Sequence, residues 1–126
     1  MMRAYVDSSV LVAIAFDESG ATAVKRRLYA FEELATSPMA EAEVRSVGRR
    51  EHRAIDDDVF GALDWVHADR ALSPEIARVL TAGYVRGADC WHLATALYIA
   101  PDPGDLMFLT LDRRQRDVAR ALGFAT

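Results

Sequence analysis

The stretch AYVDSSVLV, residues 4–12, decides the fold. Alanine, tyrosine and valine make a short apolar strand that stops at an acid. Serine hydroxyls follow, able to bond the free backbone N–H groups of a starting helix, and the run from Val10 to Phe16 is apolar enough to continue it. We therefore expect a strand over Arg3–Val6, a cap at Ser8 or Ser9, a helix running to Phe16 and a break at Gly20. Strand passing directly into helix is the repeating unit of a parallel α/β sheet. The carboxyl ends of such strands border a common crevice, and Asp7 stands at one of them.

The same alternation continues outward. Residues 21–31 place Val24, Leu28 and Phe31 on one side of a second helix. Residues 34–37 read as a strand, and Ser37-Pro38 opens a helix to about Arg50, since proline suits the first helical position. Ile55, Val59, Leu63 and Val66 recur at amphipathic helical spacing over residues 55–66. Residues 69–72 read as a strand before Ser73-Pro74 opens another helix, with Ile76, Val79, Leu80 and Gly83 as its stripe. Residues 88–100 form the most apolar helix, ended by the turn Pro101-Asp102-Pro103-Gly104. Residues 106–111 are a strand, residues 113–122 a last helix stopped by Gly123, and residues 124–126 a short final strand. This pattern gives an α/β chain with a mostly parallel sheet covered on both faces.

A length of 126 residues suits one domain, and 52% hydrophobic residues are enough for a buried core. One cysteine, Cys90, excludes an internal disulfide framework and fits a reducing compartment. No run reaches membrane-spanning length, and Asp7 interrupts the only apolar stretch near the start, so neither a membrane span nor a signal peptide is expected and the protein reads as cytoplasmic. The net charge of −4 argues against a nonspecific nucleic-acid binder unless bound cations offset some of the acids. Lys25 is the only lysine. Arginine's planar fork suits phosphate, although genome composition also raises arginine use.

Four acids fall where strand gives way to helix or early in the helix that follows: Asp7, Glu43 in ATSPMAEAEVRSV, Asp89 in RGADCWHLATAL and Asp112 in FLTLDRRQRD. Helix capping explains Asp7, Asp89 or Asp112 taken singly. Glu43 resists that explanation. It lies inside an apolar stripe of Met39, Ala40, Val44 and Val47, where a carboxylate needs a partner. Together, crowded carboxylates disfavour one another's ionisation unless a cation joins them, and an all-oxygen donor set suits Mg²⁺ or Mn²⁺. Such a cleft points to phosphodiester chemistry. Asp56-Asp57-Asp58 are consecutive and cannot converge on one ion, so they read as first-turn acids. Asp117, a turn beyond Asp112, reads as exposed, with a second metal as the alternative. Ser9, Ser37 and Thr110 are candidates to orient the carboxylates, capping being the other role for the two serines. His92 reads as a packing or hydrogen-bonding residue, and Trp91 as a core or partner-facing aromatic. Arg45, Arg49, Arg50, Arg86, Arg113, Arg114 and Arg116 flank the acids and suit a phosphate backbone or a solvated face.

The segments YVDSSVLV, TSPMAEAEV, RGADCWHLATAL and TLDRRQRDVARALGF, in this order over nearly the whole chain, resemble the PIN-domain family, and more narrowly its VapC-type toxins. The resemblance implies a three-layer α/β/α fold. It implies Asp7, Glu43, Asp89 and Asp112 as catalytic and metal-binding residues of a Mg²⁺- or Mn²⁺-dependent endoribonuclease that cleaves RNA with metal-activated water. It further implies a homodimer and a cognate VapB-like antitoxin. Trp91 is bulkier than the family's usual residue there.

Two other readings compete. A phosphoryl-transfer domain also carries an acid after its first strand, but it normally uses a late lysine, and no lysine follows Lys25. A non-catalytic PIN-like module would bind RNA or protein without cutting; retention of all four acids argues against it.

Overall fold

A computed structural model describes residues 2–126. Four strands, β1 (Arg3–Val6), β2 (Glu33–Thr36), β3 (Asp64–Trp65) and β4 (Met107–Leu109), form one sheet in the order β3-β2-β1-β4. Every pairing is parallel, with Tyr5 opposite Ala35 on one side and Phe108 on the other. Six α-helices connect and cover the sheet: α1 (Ser8–Ala15), α2 (Ala21–Leu28), α3 (Pro38–Arg50), α4 (Ser73–Ala82), α5 (Gly87–Ile99) and α6 (Arg113–Leu122).

The layers follow from the pleat of β1, whose successive side chains face opposite ways. Ala4 and Val6 join Val10, Leu11, Ala40 and Val44 in a core beneath α1 and α3. Tyr5 faces the other side, in a core with Val79, Leu93, Leu97 and Val118 from α4, α5 and α6. Tyr5 stacks on Phe108 with ring centroids 5.4 Å apart. Both faces of the sheet are thus dry, as parallel sheets require, and the fold is the three-layer α/β/α arrangement expected. Among the described residues, no helix is long and apolar enough to cross a membrane.

The sheet order also places the crevice. The chain steps from β1 outward to β2 and β3, then returns to lay β4 on the far side of β1. That reversal opens a gap at the carboxyl ends of β1 and β4. The Asp7 N–H bonds Leu109 O at 2.9 Å, carrying the ladder to the lip of the gap.

Several expectations need correction. Residues 55–66 are not a helix. Asp56 caps a single 3-10 turn over Asp57–Phe60, Gly61 ends it, and β3 begins three residues later at Asp64. The helical spacing of Ile55, Val59 and Leu63 arises because a winding segment turns those side chains to the same core. The strand expected over 69–72 does not exist. The edge strand comes earlier, where Ala35 pairs with Asp64 and Thr36 with Trp65, and Leu72 is instead a buried plug that begins α4. Residues 124–126 make only an isolated bridge from Ala125 to Met107. Finally, Asp7 and not a serine caps α1, accepting from the Ser9 N–H. α2 ends at Leu28, three residues short of the expected limit, in a turn that carries Phe31 back to the sheet. Gly123 does stop α6, with φ at 104° in the left-handed region that glycine enters freely.

Candidate functional site

The crevice is a cleft of about 370 Å³, and Asp7, Glu43, Asp89 and Asp112 all line it. Glu18, Val12, Val47 and Leu111 complete much of its wall. Each acid arrives from a different element. Asp7 ends β1 and caps α1, Asp112 follows β4 and caps α6, Asp89 stands in the first turn of α5, and Glu43 projects from α3.

Asp7 is held hardest. It is only 2% exposed, and a buried carboxylate requires donors. The Ser9 hydroxyl donates to Oδ2 at 2.6 Å and the Ser9 N–H at 3.1 Å. Gln115 Nε2 donates to Oδ1 at 3.2 Å. Thr110 Oγ1 lies 3.1 Å from Asp7 Oδ2 and 2.7 Å from Gln115 Oε1, and accepts the Asp112 N–H at 3.0 Å. One hydroxyl proton serves one acceptor at a time, so Thr110 ties the two acidic caps together. Asp112 uses Oδ1 to cap the Gln115 N–H at 2.7 Å.

Glu43 has the partner its position demands. His92, fully buried in α5, places Nε2 at 2.5 Å from Glu43 Oε1 and Nδ1 at 2.6 Å from the Tyr5 hydroxyl. Trp91 is neither wholly core nor wholly exposed; its indole N–H donates to the Ser37 hydroxyl at 3.0 Å, while that hydroxyl caps α3. Cys90 is buried, as its apolar character suggests.

Electrostatics mark the acids as neighbours. Partial burial, then the charges of Asp7, Asp112 and Glu43, push the Asp89 carboxyl up to about 6. Burial and neighbouring like charges both disfavour the ionised form. The donor set is all oxygen, which fits a hard divalent ion. Among the described residues, no three His, Cys, Asp or Glu side chains are already closed up as a metal-ligand group. Asp112 Oδ1 is engaged by its helix and Glu43 Oε1 by His92.

The other candidates separate clearly. Asp117 is exposed on α6 and does not line the cleft. Asp57 pairs with Arg45 at 2.9 Å, and Arg45 also pairs with Glu41. Arg50 pairs with Glu51, Arg114 lies over the Tyr84 ring, and Arg116 donates to Thr110 O at 2.8 Å. Arg49, Arg86 and Arg113 are exposed. Sequence reasoning missed Gln115, Tyr5 and Glu18. Gln115 left a readable trace, because it opens the buried stripe of Val118, Ala119 and Leu122 on α6, the same anomaly that exposed Glu43.

Comparison with known proteins agrees with this geometry. Residues 4–121 match the model of the PIN domain. The chain is also 32% identical to Ribonuclease VapC46 of Mycobacterium tuberculosis, in an alignment covering 99% of this chain and 96% of that protein. With its parallel sheet, its reversal between β1 and β4 and its acid-lined crevice, the chain belongs to the PIN-domain family, in the VapC-type group.

Proposed function

We infer that the cleft of Asp7, Glu43, Asp89 and Asp112 is the active site of this VapC-type endoribonuclease, and that it works with Mg²⁺ or Mn²⁺. The observation that carries the reading is the meeting of four carboxylates, distant in sequence, on one crevice at the carboxyl edge of a parallel sheet. Those four residues would hold the cation. When bound, a divalent ion supplies positive charge for the phosphodiester and makes an attacking water more acidic.

The chain's own groups do the rest. Ser9, Thr110 and Gln115 fix Asp7 in one rotamer, so little reorganisation is needed when substrate arrives. Val12, Val47 and Leu111 give the cleft a partly apolar wall that lowers the local dielectric. The exposed Arg49, Arg86 and Arg113 suit contact with RNA phosphates. A VapB-like antitoxin as inhibitor and a homodimer as the working form complete the proposal, with the chain acting as one domain.

The test is cleavage of a mixed RNA substrate by purified protein. Cutting should require Mn²⁺ or Mg²⁺ and stop on chelation. It should fall by at least about 100-fold in Asp7→Asn and in Asp89→Asn, as expected when a group acting in the transition state is lost. Wild-type rates in both variants would remove the cleft from the chemistry. A protein that binds RNA and never cuts it would instead be a binding module.

A further inference from the structure

The chain of contacts running inward from Glu43 has no part in the chemistry described above. We propose that His92 is a positioning residue that aims the Glu43 carboxylate, and that the Tyr5 hydroxyl fixes its Nε2–H tautomer. The proposal rests on the active-site reading above.

Hydrogen-bond direction carries the argument. A carboxylate only accepts, so the proton between His92 and Glu43 belongs to Nε2. The Nε2–H tautomer has one acceptor, Nδ1, and the group beside Nδ1 is the Tyr5 hydroxyl at 2.6 Å. Tyr5 is fully buried, and its hydroxyl is the donor that the ring's second nitrogen meets. The sequence of donors is therefore Tyr5 to His92 to Glu43, with every step satisfied. Among the described residues, no buried side-chain polar atom lacks a partner.

Packing explains why such a device is needed. Glu43 emerges from α3 beside buried Ala40 and Val44, with its side chain 30% exposed. A glutamate there has three rotatable bonds and, among the described residues, no other hydrogen-bond partner, and ordering it costs entropy at the moment a ligand arrives. His92 removes that freedom in advance. It holds Oε1 of a residue that lines the cleft. His92 itself cannot tilt, because its ring is enclosed and lies edge-on to Tyr5 at 5.7 Å. Partners of this kind, one bond behind a metal-binding group, typically change metal affinity by about 10- to 100-fold when removed.

Two measurements test it. Nitrogen-15 NMR of the metal-free protein reads the His92 tautomer directly. The wild type should show a protonated Nε2 and a bare Nδ1, and Tyr5→Phe should show a mixture of tautomers. Calorimetric Mn²⁺ titration reads the consequence. His92→Gln keeps an N–H near the Nε2 position and should stay within about threefold of wild type, whereas Tyr5→Phe/His92→Leu, which removes both buried polar groups together and so protects folding, should bind about tenfold more weakly. Circular dichroism confirms that each variant is folded. A wild-type ring protonated on Nδ1, or Mn²⁺ affinity unchanged in the double variant beside a binding wild type, overturns the positioning role alone. A wild type that binds no Mn²⁺ overturns the active-site reading and this role with it.

Discussion

Gln115 Nε2 lies 3.2 Å from Asp7 Oδ1, so a fully buried amide on the last helix holds the acid at the end of the first strand. The two residues are far apart in sequence and belong to adjacent layers. Their bond locks α6 to β1 across the point where the cleft opens. Gln115 also contacts Thr110 and the Asp89 carbonyl, and so touches three of the elements that supply acids.

Replacing Gln115 should therefore disturb Asp7 more than it disturbs the core. Gln115→Leu removes a donor from a buried carboxylate and should cost about 2 kcal/mol. Gln115→Glu sets a second carboxylate against Asp7 and should cost more, about 3 kcal/mol or above at pH 7. Urea unfolding of the metal-free protein measures both. Equal and small losses would mean that this bond does not restrain Asp7.

Asp89 makes the metal-free protein sensitive to pH. Its carboxyl is pushed up to about 6 by burial and by the charges of Asp7, Asp112 and Glu43, whereas an unfolded aspartate titrates near about 3.9. A raised acid favours its protonated form in the fold. Its contribution is therefore harmless below about pH 4, turns unfavourable as pH rises through the window to about 6, and stays so above it. Asp89→Asn should stabilise the metal-free protein at pH 7 by about 1 kcal/mol after allowance for solvent screening, and should have no effect at pH 3.5. Thermal unfolding at the two pH values checks the sign. Destabilisation at pH 7 would contradict the crowding of the four acids.

The layer beneath α4, α5 and α6 has little slack. Gly83 follows α4 in extended backbone, with φ at 169°, so alanine is not strained there. A Cβ at that position would nevertheless lie 2.9 Å from Val118 Cγ2 on α6. Gly83→Ala should cost about 1–3 kcal/mol from overpacking. The same change made beside Val118→Ala should cost clearly less, a coupling that a double-mutant cycle in urea would read. Additive effects would show that the two helices part easily.

The acid quartet was legible because each member carried a local sign. Asp7 and Asp112 closed apolar strands, Asp89 opened the most apolar helix, and Glu43 broke a buried stripe. The pattern of strands passing into helices was enough to give the layers, since parallel strands buried on both faces read as apolar runs. The segment between α3 and α4 misled because periodicity reports which side chains are buried and not the backbone that buries them. Ile55, Val59 and Leu63 reach one core from a 3-10 turn and a loop. The two-residue β3 has almost no sequence of its own, and its position is set by β2 through the bonds of Ala35 and Thr36. Polar partners were harder still. That Tyr5, His92 and Glu43 form one line, or that Gln115 reaches Asp7, depends on helices crossing at set angles, which no local pattern encodes.

The most direct test of the account is anomalous diffraction from crystals of this chain soaked in Mn²⁺. The account predicts a manganese peak inside the cleft, with oxygens from Asp7, Asp89 and Asp112 or Glu43 within about 2.0–2.4 Å of it, and no such peak in Asp7→Asn. Manganese bound only elsewhere on the molecule, or a cleft peak that survives Asp7→Asn unchanged, would contradict it.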